Sequence, residues 1–240
     1  MIVPPLPYSP LSAGELSSAR QTRRPALAPY TTAREGEAPT LGDLVLEPDT
    51  QRTGCRLGYA HEVKGDRDEH SVLWMRYTHT VQDRRGMPVG TPRPPTVHPT
   101  RQRRAMRNLL CQFCIRPAHT PHGLIFLMDP SDVTPDPTKV LVSQPPVCAQ
   151  HVAAAALLHP DRDSAKAYLA LNTCLYGVHG HLYDHGDDGR PVPAGRSTEP
   201  LPYGHPRLPT CLAVTLVRQL KTYSLIPVDE LRDPAVLSAT

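Results

Sequence analysis

No long apolar run occurs in this 240-residue chain. The longest purely apolar stretch, Val152 to Leu158, falls far short of the roughly 20 residues that a membrane-spanning helix needs, so a transmembrane helix and a membrane partner are excluded. No secretory leader is expected either. No basic region opens the chain, and prolines at positions 4, 5, 7 and 10 interrupt any apolar helix there. The expected setting is therefore cytoplasmic. A strong charge of one sign is missing too: the net charge of +3 is too mild to imply nucleic acid by itself. No internal repeat is apparent, which sets aside solenoid and propeller arrays.

Proline is abundant. The 29 prolines are about twice the ordinary share of roughly 5%, and many fall in 1–40 and 87–99, where apolar periodicity is absent. These stretches are expected to add little to a core. The composition divides the chain into a proline-rich disordered arm (1–43), a β-hairpin segment (44–83), a proline-rich linker (84–99), a main domain (100–231) and a tail (232–240). Within 44–83, residues 53–60 and 71–77 carry β-branched and aromatic side chains at partly alternating positions around the charged turn 62–69, which predicts an antiparallel pair. The lone tryptophan, Trp74, is expected to pack in the core against these strands.

In the main domain, Thr100 can cap a helix from about Arg101 to Leu110 whose apolar stripe is Met106, Leu109 and Leu110, followed by Phe113. Residues 123–128 and 139–143 read as two strands joined by an Asp- and Pro-rich loop, 129–138. Pro145 and Pro146 stop the second strand, and Cys148 opens a helix that ends near His159-Pro160. Residues 167–176 are read as a strand that pairs with 177–183, before a turn at 186–189. A further proline-rich connection fills 191–209. Leu212, Leu216, Val217 and Leu220, spaced for one face, predict a C-terminal amphipathic helix over 210–223.

Six cysteines in a reducing compartment favour metal binding or burial over disulfides. Cys111-Gln112-Phe113-Cys114 and Cys148-Ala149-Gln150-His151 are separated by 33 residues that read as a β-hairpin. This is the ligand order of a treble-clef zinc site: knuckle, β-hairpin, helix. Each pair sets two donors on one tight turn, and the dipole at the start of the following helix favours a thiolate. Four protein ligands, Cys111, Cys114, Cys148 and His151, would close a tetrahedron around a structural Zn2+ with no open position. Such binding is worth an apparent ~10–16 kcal/mol. Competing readings are a redox Cys-x-x-Cys, a chance pair of buried thiols, a Cys111–Cys114 disulfide, and iron in place of zinc. Cys55, Cys174 and Cys211 have no partner at ligand spacing and read as small buried apolar residues. His179, His181 and His185, near Asp184, Asp187 and Asp188, read as solvent-facing residues or as a second, weaker metal site. The expected fold class is thus α+β, with small antiparallel sheet segments, the treble-clef site and a C-terminal amphipathic helix.

Arg101, Arg103, Arg104 and Arg107 crowd into seven residues behind Arg84, Arg85 and Arg93. Such a run is either a solvated helix face or a phosphate-contacting surface.

Residues 101–114, Pro145-Pro146-Val147-Cys148 and Gly177-Val178-His179-Gly180-His181-Leu182-Tyr183, with Gly58-Tyr59-Ala60 and Asp66-Arg67-Asp68-Glu69, resemble a family of uncharacterised actinobacterial (Streptomyces-type) cytoplasmic zinc-binding proteins. The resemblance covers most of the chain after the N-terminal arm and extends to residues near Leu212. It implies a metal-binding domain and carries no activity. His151 departs from the family's usual second Cys-x-x-Cys, which is chemically tolerable because imidazole also ligates zinc.

Three functions are consistent with these features. The first is a zinc-stabilised, non-enzymatic binding module that contacts DNA, RNA or a regulatory protein through the arginine-rich helix, with no small-molecule substrate. The second is an HNH-like metal-dependent nuclease using His119, His122, Asp129 and His159, although the Asp-His pair such a site needs at the end of its first strand is missing. The third is a structural or interaction protein with a proline-rich arm.

Overall fold

The computed structural model describes residues 28–49, 54–128, 139–158 and 166–227. Two long antiparallel strands form its spine: β8 (Lys166–His185) and β11 (Cys211–Ile226). They run side by side from Cys211 opposite Leu182 to Ile226 opposite Ala167, with register shifts along the way. Shorter strands line the two outer edges of this ribbon. Along β8 lie β6 (Leu124–Met128), β10 (Leu201–Pro202) and β9 (Pro191–Arg196), all antiparallel. Along β11 lie β4 (Leu73–Trp74), in parallel, and β7 (Val140–Val142), antiparallel. Two small sheets complete the molecule, β1 (Thr32–Arg34) with β5 (Pro92–Val97), and β2 (Leu44–Pro48) with β3 (Cys55–Tyr59).

The expected α+β treble-clef arrangement is therefore corrected to a mostly β molecule built on one large, curled, mixed sheet. Among the described residues only two α-helices occur, α1 (Pro99–Arg107) and α2 (Ala149–Leu158). The segment expected as a C-terminal helix is β11. Its Leu212, Leu216, Val217 and Leu220 do have helical spacing, but that spacing is produced by register shifts at Ala213/Thr215 and Val217/Arg218, which reset the two-residue alternation. The first part of the strand is also covered on both faces, so its buried positions run together: Cys211, Leu212 and Ala213 are all inaccessible to solvent. Residues 177–183 do not fold back on 167–176, because β8 passes straight through both.

The hairpin expected between the two cysteine pairs is absent as well. β6 pairs with β8 and β7 with β11, because all five residues of β6 and all three of β7 are buried and need a sheet on their flanks rather than one another. Likewise β3 and β4 do not form a pair; β3 joins β2 and β4 joins β11.

The side-chain alternation of β11 divides the core. Cys211 and Ala213 point into the main apolar cluster with Phe113, Ile125, Phe126 and Met106. Leu212 points the other way, into a smaller cluster of Leu57, Tyr59, Leu73, Met75 and Tyr183 under the β2–β3 sheet. The spine needs a residue without a side chain at Gly177, where a Cβ would sit 1.9 Å from the Leu201 carbonyl oxygen.

Candidate metal centre

Helix α1 begins at Pro99, whose missing N–H costs nothing at the first helical position, and buries Ala105 and Met106. It ends at Arg107 with Asn108 as its C-cap, and Leu109 turns the chain with φ +53°, a left-handed conformation uncommon for a branched side chain. The next five residues form a tight loop. The Ile115 N–H donates to the Cys111 carbonyl at 2.9 Å and the Cys111 N–H to the Arg116 carbonyl at 2.8 Å, with Ile115 held at φ +54°. Two further bonds tie this loop to distant chain: Tyr30 N–H donates to the Gln112 carbonyl, and Gln112 N–H to the Pro146 carbonyl. The second bond holds the segment leading to Cys148 beside the first cysteine pair, while Val147 N–H reaches the Ile125 carbonyl of β6. Cys148 then stands immediately before α2, and His151 lies in its first turn.

These constraints bring the Sγ atoms of Cys111, Cys114 and Cys148 and a ring nitrogen of His151 within 4.8 Å of one another. The Cys114 and Cys148 sulfurs are 3.8 Å apart, and His151 presents Nδ1 at 3.2 Å from Cys148 Sγ. A tetrahedron with bonds of 2.0–2.3 Å has edges of roughly 3.3–3.8 Å, so these two separations are close to those of donors sharing one cation, and the 4.8 Å limit on the whole set leaves small side-chain adjustments to close it. Cys111 is fully buried, and the Phe113 ring lies parallel to the His151 ring with 6.0 Å between centroids. The four groups could hold a metal ion, and among the described residues they are the one cluster of three or more His, Cys, Asp or Glu side chains that could.

The electrostatics favour an ion. Burial, followed by the neighbouring Cys111 and Cys114, pushes the Cys148 thiol up to about 12. Burial also raises the Cys114 thiol, but hydrogen bonds from the Arg116 backbone and guanidinium and from Cys111 and Cys148 outweigh it and bring it below its ordinary value. A thiolate at Cys114 is thus favoured and one at Cys148 opposed, unless a cation offsets its charge. Burial, then the Arg116 charge, holds His151 below the usual imidazole value, which keeps it neutral as a ligand must be.

The arginine run is broken up by the fold. Arg101 is 2% exposed and donates both terminal nitrogens to the carboxylate of Glu37, at 2.7 and 2.5 Å. Arg103 lies over the Trp74 ring at 4.8 Å and donates to the carbonyls of Gly65 and Arg67. Arg104 is exposed, with a long contact to the Tyr30 hydroxyl, and Arg107 is exposed and paired with Glu69 at 2.8 Å. Only the last two face solvent as a phosphate surface requires. The three histidines of β8 form no metal-binding group: His179 meets the Ser197 hydroxyl, and His185 meets the Gly186 carbonyl. His119 is exposed and His122 half-buried, outside any such group; Asp129 and His159 lie outside the described residues. Arg116 and Glu37 are the residues sequence reasoning missed. A cation two residues past Cys114 is a signal that could have found the first; nothing local marks the second, whose partner is 64 residues away.

Family models, curated proteins and solved structures gave no match to the chain. Among the described residues no helix is long and apolar enough to cross a membrane.

Proposed function

We propose that the chain is a non-enzymatic binding module whose fold is stabilised by one structural zinc ion on Cys111, Cys114, Cys148 and His151. The observation that carries this reading is the convergence of three sulfurs and one imidazole nitrogen within 4.8 Å. All four positions of a tetrahedral ion are then taken by protein, which leaves none for water or substrate and argues for a structural role. Three thiolates and a neutral imidazole are a donor set suited to zinc. A protein partner is a better reading than nucleic acid, because Arg101 is spent on Glu37, Arg103 on Trp74 and Arg107 on Glu69.

Purification without added metal followed by elemental analysis tests the centre. One zinc per chain is expected, and none in Cys148→Ser. Metal-free protein that melts cooperatively at the same temperature with and without added zinc would overturn the reading. Binding to DNA or RNA at low ionic strength that disappears in the Arg104→Ala, Arg107→Ala double variant would replace the protein partner with nucleic acid.

A further inference from the structure

A cavity of about 610 Å³ opens where the β1–β5 sheet, the Cys111–Cys114 loop, α2 and the near edge of the large sheet meet. This volume lies within the ~300–1,000 Å³ typical of small-molecule sites. One residue in five of the chain is charged, yet among the described residues no ionisable side chain lines the cavity. Five prolines do: Pro29, Pro92, Pro94, Pro95 and Pro145. Each removes a backbone donor from the wall. Gln102 also reaches the cavity, but its amide is fully committed. Its nitrogen donates to the carbonyls of Ser143 and Leu216, and its oxygen accepts from the Leu216 N–H. Val97, Phe113 and Leu127 add apolar surface, and the polar remainder consists of neutral hydroxyls and amides, such as Thr215 and Gln112.

We infer that this cavity is a binding site for an uncharged, mainly apolar small molecule. A charged ligand would leave water without meeting a counter-charge, which opposes its entry. A neutral apolar one gains from every part of its surface that it removes from water, and the few neutral donors and acceptors on the wall orient it. The walls come from segments far apart in sequence, β1, β5, the cysteine loop and β11, which the fold itself holds in place. The cavity does not depend on the metal being zinc. It meets the metal centre at Phe113, which lines the cavity and stacks on His151.

The test titrates the full chain with Nile red, a neutral apolar dye, and with anilinonaphthalene sulfonate, an anionic one, while the zinc content of each sample is measured. Saturable binding of one Nile red per chain is expected, with the anionic dye at least tenfold weaker. Thr215→Trp and Val97→Trp, which narrow the cavity from two different strands, should each weaken Nile red at least tenfold while leaving the melting temperature and zinc content unchanged. Hydrogen exchange on the unmodified chain should slow at 112–113 and 143–144 when the dye saturates, which keeps the idea testable should either variant fold poorly. Non-saturating binding, binding indifferent to both variants, equal affinity for the anionic dye, or protection elsewhere would overturn the site. So would binding that appears only once the residues before Ala28 are cleaved, because the chain's own N-terminal segment would then be the occupant. Nile red binding in a preparation that holds no metal would leave the cavity assigned and remove only the zinc centre.

Discussion

At the N-terminal end of α1, Arg101 and Glu37 bring opposite charges into the interior and neutralise each other. Just beyond the other end of the helix, Cys111, Cys114, Cys148 and His151 bring three acids of one sign and a neutral base. The first centre is complete as the chain folds. Glu37 accepts from both terminal nitrogens of Arg101, from the Arg34 N–H, and from the Thr80 N–H and hydroxyl. On the proposed reading, the second centre is completed only by an imported cation. Both join segments remote in sequence, yet one is autonomous and the other conditional, so their responses to perturbation separate cleanly.

The largest expected effect is on the conditional centre. Chelation of the metal, or Cys148→Ser, should remove most of an apparent ~10–16 kcal/mol, seen as loss of the cooperative urea transition at neutral pH. A chelated protein that keeps its transition would erase the distinction between the two centres.

Next comes the autonomous pair. Glu37→Ala leaves Arg101 buried and unpaired, and should lower stability by about 3–5 kcal/mol. The double replacement Glu37→Leu, Arg101→Met should be near neutral or stabilising, because both desolvation costs vanish together. Equal losses in the single and double variants, read from urea midpoints, would show that packing rather than charge governs this site.

Acid sharpens the comparison further. His98 is fully buried, with Nε2 at 3.2 Å from the Thr78 carbonyl and Nδ1 without a partner. Burial, then the Arg101 charge, lowers it from 6.5 to about 4, against the raising effect of Glu37. The folded state thus prefers the neutral ring. The stability it contributes is present above pH 6.5 and is lost as the pH falls towards 4. Burial raises the Glu37 carboxyl, but the bonds from Arg101, Thr80 and Arg34 outweigh it and bring it to about 2. Its contribution is present above pH 4.5 and is lost on descent towards 2. Between pH 6.5 and 4, a His98→Gln variant should therefore lose less stability than the parent. Taking the difference between the two cancels the acid sensitivity of the thiolates, and parallel pH curves would count against His98.

The smallest effect is at the surface. Arg107→Ala breaks an exposed pair with Glu69 and should cost less than about 1 kcal/mol. A larger loss, measured by urea denaturation, would mean that this rim is part of the packed interior.

What the sequence made legible follows the range of each interaction. The four Cys and His residues that converge were readable because ligand spacing is local, and so were both described helices and the apolar runs of β6 and β7. Pairing partners were not. Whether Val140–Val142 lies beside Leu124–Met128 or beside Leu220 depends on strands that follow some 80 residues later, and neither run carries a mark of its neighbour. Arg101 looked like its neighbours Arg103, Arg104 and Arg107, because its single distinction, the burial of Glu37 beside it, comes from the other end of a long separation. β11 misled through its shifted register, where apolar positions fell by chance on a helical spacing.

The failure of β6 and β7 to pair with each other bears on the order of events as the chain is synthesised. When α2 leaves the ribosome, neither β8 nor β11 yet exists, so the segment between the cysteine pairs has no partner for either of its strands. An ion captured at that moment would close a loop whose own contacts cannot, and would remove chain entropy before the long-range sheet is available to compensate. Metal scarcity would then act on the yield of newly made protein as well as on the stability of molecules already folded.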